Sequence, residues 1–238
     1  MGDDALTKGL VNRAGALLVR ADQEGRETGL TTVDPADYEA AVRVVDAWRA
    51  SHARPLQATN ANLYYYVRDY PGCHPTQRTK KLATIIDKLQ RHPGDLARME
   101  DIGGCRIVLP TVAAVDDLAD RLKGQDGWEI VRLRDYIRRP KDDGYRALHL
   151  VRLYRDRRIE IQVRTTLQDM WANRVEHIGR DYGQEIKFGR ADGEVVEYHR
   201  LLSDLLAVEE KGGRIPQDLV QELQRAADSL PALRRRNV

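Results

Sequence analysis

Cysteine is scarce in this chain of 238 residues: only Cys73 and Cys105 occur. They have neither metal-ligand spacing nor the density of a disulfide-stapled scaffold, so a reducing, cytoplasmic setting is expected. No run approaches the roughly 18–20 apolar residues of a membrane span, and the first residues lack a signal-peptide core. Met1-Gly2 opens like a myristoylation site, but Leu6 stands where Ser or Thr is required. Charge of one sign is also missing. The 39 Lys and Arg against 37 Asp and Glu leave a formal net charge of +2, which excludes a strong overall pull on nucleic acid but leaves room for local basic patches. There is no repeat and no low-complexity tract. The P-loop, the protein-kinase catalytic motifs and a strand-coupled dinucleotide glycine motif are all absent.

What is present is 42% hydrophobic residues, enough for a proper core. Apolar residues at helical spacing predict a helix over 4–22, ended by the polar stretch DQEGRETG. Asp34-Pro35 caps and starts a second helix to about residue 52. LYYYVRDY lies on a third, stopped by Pro71-Gly72, and TQRTKKLATIIDKLQR (76–91) reads as one amphipathic helix. The period then changes. GCRIVLP, WEIVRLRDYI, RALHLVRLY and IEIQVRT read as strands, with a helix from Thr111 to Gly124 between the first two. Another helix follows at about 166–181, and the tail holds two helical patterns split by KGGRIP. The expected architecture is α/β: a mixed-sheet core over 76–190, a helical segment over 1–75 before it and another over 191–238 after it.

Four constellations can carry chemistry, and each has a plainer structural alternative. Arg78, Lys80, Lys88 and Arg91 form either a solvated face or a cationic comb for a polyphosphate. Asp101 stands just before a strand carrying Arg106, where an acid either ends a turn or holds Mg²⁺ together with substrate phosphates. On the strand EIQVRT, Glu160, Gln162 and Arg164 share one face. That face is either exposed or a line of acid, amide and guanidinium in which Glu160 completes a metal site or takes a proton. Finally, DYIRRPKDDGYRALH surrounds Tyr145 with Arg138, Arg139, Lys141 and Arg146, with His149 beyond. It is either an ordinary hairpin or a stacking plate for a base.

Taken in order, these motifs resemble the synthetase domain of the RelA/SpoT family over about residues 76–182. RTKKLATIIDK is similar to that family's ATP-binding helix, with Thr84 in a Ser position. DIGGCRIV resembles its DxxGxR strand, DYIRRPKDDGYRALH its acceptor loop and EIQVRT its ExQxRT strand. The resemblance implies a nucleotidyltransferase-like fold and an enzyme that moves the β,γ-pyrophosphate of ATP to a 3′-hydroxyl with Mg²⁺. It implies that Asp101 and Glu160 are catalytic and bind metal, and that Arg78, Lys80, Lys88 and Arg106 hold ATP. Lys141, Tyr145, His149, Gln162 and Arg164 would serve the acceptor. Asp143 departs from the family's Asn, and no HDxxED hydrolase signature is present.

AWRASHARPL (47–56) resembles a segment of the family's toxic small members. That resemblance implies a translation-inhibiting toxin that modifies the 3′-terminal adenosine of tRNA and is neutralised by an antitoxin. The alternative is a small alarmone synthetase acting on a purine nucleotide. An RNA acceptor needs a basic track, for which Arg132, Arg134, Arg138, Arg139, Arg155, Arg157, Arg158, Arg174 and the LRRRN end are candidates.

Overall fold

The computed structural model describes residues 6–181 and 193–230. Three helices come first: α1 (Lys8–Thr28), α2 (Pro35–Ser51) and α3 (Ala53–Tyr66). The core then alternates β1 (Thr76–Thr79), α4 (Leu82–Arg91), β2 (Gly103–Leu109), α5 (Val112–Lys123), β3 (Glu129–Asp135), β4 (Leu148–Tyr154), β5 (Arg157–Thr165) and α6 (Thr166–Asp181). Two helices close the described chain, α7 (Gly193–Glu210) and α8 (Gln217–Ser229). The strands form one mixed sheet in the order β1-β2-β5-β4-β3, with β2 and β5 parallel and every other pair antiparallel. The α/β expectation holds.

Two expected boundaries differ. α1 runs through the polar stretch to Thr28 and ends on Gly29 in the left-handed conformation. Its polar residues are satisfied on the helix surface by the i,i+4 pairs Arg20–Glu24 and Asp22–Arg26, and the Glu24 carboxylate accepts the Thr32 N–H after the chain turns back. The stretch 76–91 is not one helix. Residues 76–79 pair with β2, Arg78 facing Gly104, and the Lys80 N–H continues the ladder to the Ile102 carbonyl at 2.8 Å. An unpaired sheet edge offers more to this segment than an isolated extra helical turn, so the cations of RTK leave the helix.

Alternation along the strands gives the sheet two faces. Ile159, Ile161 and Val163 of β5 join Cys105, Ile107, Leu148 and Leu150 in the main core, which is covered by α3 and α5. Gly103 sits within this packing: a Cβ there would lie 2.9 Å from Ile159 Cδ1, so the α3 side of β2 has no room for one. A second apolar cluster joins α1 and α2 to Ile85, Ile86 and Leu89 of α4. A third joins α6, α7 and α8. Ile, Val and Leu at every second position thus fix the core face, and the remaining positions are left for polar work.

Candidate active site

The polar face assembles across all five strands. Arg78 stands opposite Gly104, Gly104 opposite Glu160, Arg106 opposite Gln162, Gln162 opposite His149 and His149 opposite Arg134. Directly opposed residues project to the same side of a sheet, so these form rows on one surface. That surface lines a cavity of about 1020 Å³ that also takes in Lys80, Lys88, Asp101, Lys141, Tyr145 and Arg164. The eleven residues to which the resemblance gives a role therefore meet in one place, with Arg91, whereas Arg138, Arg139 and Arg146 do not line it. Its wall holds twelve Lys and Arg against six Asp and Glu, a balance suited to a polyanion.

On one side, Lys80 and Lys88 converge on a single oxygen of Asp101, at 3.0 and 2.8 Å. Burial pushes the Asp101 carboxyl up, but the two ammonium groups outweigh it and hold the group below the usual carboxylate range. The other oxygen, Oδ1, is buried without a partner among the described residues. Among those residues no three His, Cys, Asp or Glu converge as a ready-made metal cage. The donor set therefore fits a cation that takes one or two carboxylates and completes its shell with phosphate and water, as Mg²⁺ does; Asp101 and Glu160 would hold it.

On the other side, five side chains close a ring of hydrogen bonds. Arg164 Nη2 donates to the Tyr145 hydroxyl at 3.0 Å and to Gln162 Oε1 at 3.3 Å. The Tyr145 hydroxyl meets His149 Nε2 at 2.7 Å, and His149 Nδ1 meets Glu160 Oε1 at 2.9 Å. Gln162 Nε2 donates to Glu160 Oε2 at 2.7 Å. Arginine can only donate and an ionised carboxylate can only accept. The ring thus has one donor corner and one acceptor corner: His149 Nδ1 donates to Glu160, and the Gln162 amide has a single orientation, its oxygen toward Arg164 and its nitrogen toward Glu160. Burial acts against the Glu160 charge, but the His149 and Gln162 bonds prevail and bring its pKa down to about 2. Burial instead raises the Tyr145 phenol, so the hydroxyl keeps the proton it donates.

Tyr145 was expected as an open stacking plate. Its ring is instead flanked edge-on by Tyr136, His149 and Trp171, with Lys141 Nζ 4.9 Å and the Arg164 guanidinium 5.2 Å from its centroid. His149, expected to touch phosphate or ribose, has its ring nitrogens bonded to Tyr145 and Glu160 and is 7% exposed.

Several participants were not singled out in the sequence. Asp169 on α6 bridges Arg164 at 3.2 Å and Arg106 at 3.7 Å. Its signal was its place in the first turn after EIQVRT, on a helix entered directly from the strand. Glu100 forks between Arg132 at 3.3 Å and Arg134 at 2.9 Å. Arg49 donates to the Lys80 carbonyl at 2.8 Å, and it is the one part of the WR..H..PL segment that reaches the donor side in this way. The rest of that segment forms the α2–α3 junction: the His52 ring donates from Nδ1 to the Trp48 carbonyl, and Arg157 lies 4.3 Å over the Trp48 ring. The basic track is partly neutralised, with Arg138 held by Asp116 and Asp135 in addition to the Glu100 pairs. LRRRN lies outside the described residues.

Residues 77–184 match the family model described as a region found in RelA/SpoT proteins. Two curated relatives come from Bacillus subtilis. GTP pyrophosphokinase YjbM is 34% identical over 127 residues, covering 48% of this chain and 60% of the relative. GTP pyrophosphokinase YwaC is 32% identical over 118 residues, covering 44% and 56%. The matched part thus spans less than two thirds of either relative. The crystal structure of small alarmone synthetase 2 from the same organism superposes with a TM-score of 0.60 at 23% identity, covering 70% of this chain and 94% of that one. Residues 77–184 are thus similar to the region found in RelA/SpoT proteins, and the chain shares the fold of small alarmone synthetase 2.

Proposed function

We propose that this chain is a pyrophosphokinase that moves the β,γ-pyrophosphate of ATP to the 3′-hydroxyl of a purine nucleotide, GTP or GDP first among them. The observation that carries this reading is the pairing, in one cavity, of a half-buried lysine–aspartate cluster with a closed ring that runs from Arg164 to Glu160. The two relatives named as GTP pyrophosphokinases support a guanine acceptor.

The parts suit the reaction. The acceptor's 3′-oxygen bonds to the β-phosphorus of ATP while the bond from that phosphorus to the bridging oxygen breaks; AMP leaves with the electron pair and the hydroxyl proton is released. Such a transfer needs positioning and charge neutralisation more than a covalent nucleophile. Lys80 and Lys88 rest on Asp101, and an arriving triphosphate offers them a stronger anion. Their departure frees Asp101, which with Glu160 would hold Mg²⁺; the ion would offset phosphate charge. Glu160 is held ionised by its His149 and Gln162 bonds, and its charge would align the acceptor hydroxyl.

A tRNA acceptor, with the toxin and antitoxin that go with it, uses the same site and differs in what approaches it. The pairing of Arg132, Arg134 and Arg138 with acids weighs against a long RNA track. The deciding experiment incubates the protein with γ-³²P-ATP and Mg²⁺, offering GTP, GDP, AMP and bulk tRNA separately, with Glu160→Gln as control. Label on GTP or GDP that is lost in the variant is expected. Label on tRNA alone would transfer the proposal to the RNA acceptor, and no transfer to any of the four would refute the enzyme reading.

A further inference from the structure

Helix α7 lies outside the RelA/SpoT match, yet it holds both chain segments that carry the Tyr145–Arg164 corner of the ring. Next to Tyr145, the loop backbone rests directly on α7. Gly144 has φ +88°, and a Cβ there would lie 2.9 Å from Arg200 Cα, so the loop approaches the helix with no side chain between them. Ser203 Oγ donates to the Gly144 carbonyl at 2.5 Å. Arg146 ties the arrangement together with three bonds: Nε to Ser203 Oγ at 3.0 Å, Nη2 to Asp204 Oδ1 at 2.8 Å and Nη1 to the Ile137 carbonyl at 3.0 Å. One guanidinium thereby joins both ends of the 137–146 loop to α7.

At the far end of the same helix, Glu210 accepts the Thr165 hydroxyl and, at 3.1 Å, the Gln168 amide. Thr165 follows Arg164 directly. Glu160, Gln162 and His149 lie within paired strands and take their position from the sheet ladder. Tyr145 lies outside any strand, and Arg164 is next to the last residue of β5. The ring is therefore set by the sheet on its Glu160 side and by α7 on its Arg164–Tyr145 side.

We propose that α7 is a strap that sets acceptor geometry, with Arg146, Ser203, Asp204 and Glu210 as positioning residues rather than catalytic ones. The kinetic part of this inference rests on the pyrophosphokinase reading; the structural part does not. Releasing the strap removes none of the bonds of the Lys80–Lys88–Asp101 cluster.

The test uses the full-length chain carrying Asp204→Ala, Ser203→Ala or both, with Asp204→Glu as the conservative rescue. Two measurements keep the claims apart. Hydrogen exchange without any substrate should rise in peptides covering 136–147 and stay unchanged in 76–109. Steady-state kinetics should show the acceptor KM raised about tenfold in the double variant with the ATP KM unchanged, and Asp204→Glu should restore most of the difference. Asp204 is 37% exposed at its side chain, so its replacement leaves the fold intact. Exchange that does not rise in the loop overturns the strap. Raised exchange with an unchanged acceptor KM overturns its role in acceptor geometry, and so does an equal rise in both KM values. Raised loop exchange in an enzyme that transfers nothing to any acceptor sinks the pyrophosphokinase reading and leaves the strap standing.

Discussion

The two halves of the cavity are built on opposite principles. Around Asp101, two flexible ammonium groups meet one oxygen, an arrangement of point charges with little directional demand. Around Glu160, five groups are locked in one donor–acceptor sequence from Arg164 onward. On the proposed reading, a polyphosphate would need little directional precision from the first, whereas a single hydroxyl would have to be met from one direction by the second. That reading expects the Asp101 half to tolerate variation in ligand pose and the Glu160 half not to.

The strongest way to break this comparison is at the acceptor corner. Glu160→Gln should lower pyrophosphoryl transfer by about 10³-fold or more, read as initial rates with labelled ATP and GTP. A loss below tenfold would mean that the corner does not govern the reaction. Tyr145→Phe keeps the ring and removes one link between Arg164 and His149. It should lower kcat/KM for the acceptor by about 10- to 100-fold while calorimetric ATP affinity stays put. On the donor half, Lys88→Met should weaken ATP binding about tenfold and leave acceptor KM within twofold. Equal effects of the lysine and tyrosine variants on both substrates would erase the distinction.

The Glu160 pKa gives a subtler test. It is about 2 in the folded protein against an ordinary 4.5, so the ionised group contributes stability that is fully present above about pH 4.5 and is lost as pH falls towards 2. The melting-temperature gap between wild type and Glu160→Gln should accordingly narrow across that window. The smallest effect is expected from the sheet's other buried arginine. Arg152 is 2% exposed, stacks 4.0 Å over Trp128 and 4.6 Å over Tyr154, and among the described residues bonds to Thr59 and the Gly127 carbonyl without an acid partner. Arg152→Met should leave transfer within twofold and shift stability by about 1 kcal/mol in either direction, because a long apolar chain can replace a buried cation that no acid neutralises. A large loss of activity there would show that burial alone, rather than membership of the ring, makes an arginine matter.

Much of this was legible in the sequence, because period-two alternation is a property of neighbours along the chain. EIQVRT displayed the two faces of β5 before any partner was known, and the eleven candidate residues converge as their order implied. What was not legible depends on partners distant in sequence. RTK reads as helical in isolation and leaves the helix because β2 and the residue before it present an open edge 22 to 26 residues later. Asp169 and Glu100 look like ordinary surface acids until Arg164 and Arg134 arrive from elsewhere. Tyr145 advertised an aromatic platform, but nothing local revealed that Trp171 would flank it or that Ser203 would seat its loop.

The contact between Ser203 and Gly144 also orders events in time. Chains emerge from the ribosome N-terminus first, at about 5–20 residues per second. Gly144 is made well before Ser203, so for several seconds of synthesis the sheet can pair while the loop has no seat. A nascent chain cut short before Gly193 should expose residues 136–147 to protease, and the full chain should protect them. If acceptor capture depends on that seat, the site stays incomplete until α7 has followed the sheet out of the ribosome.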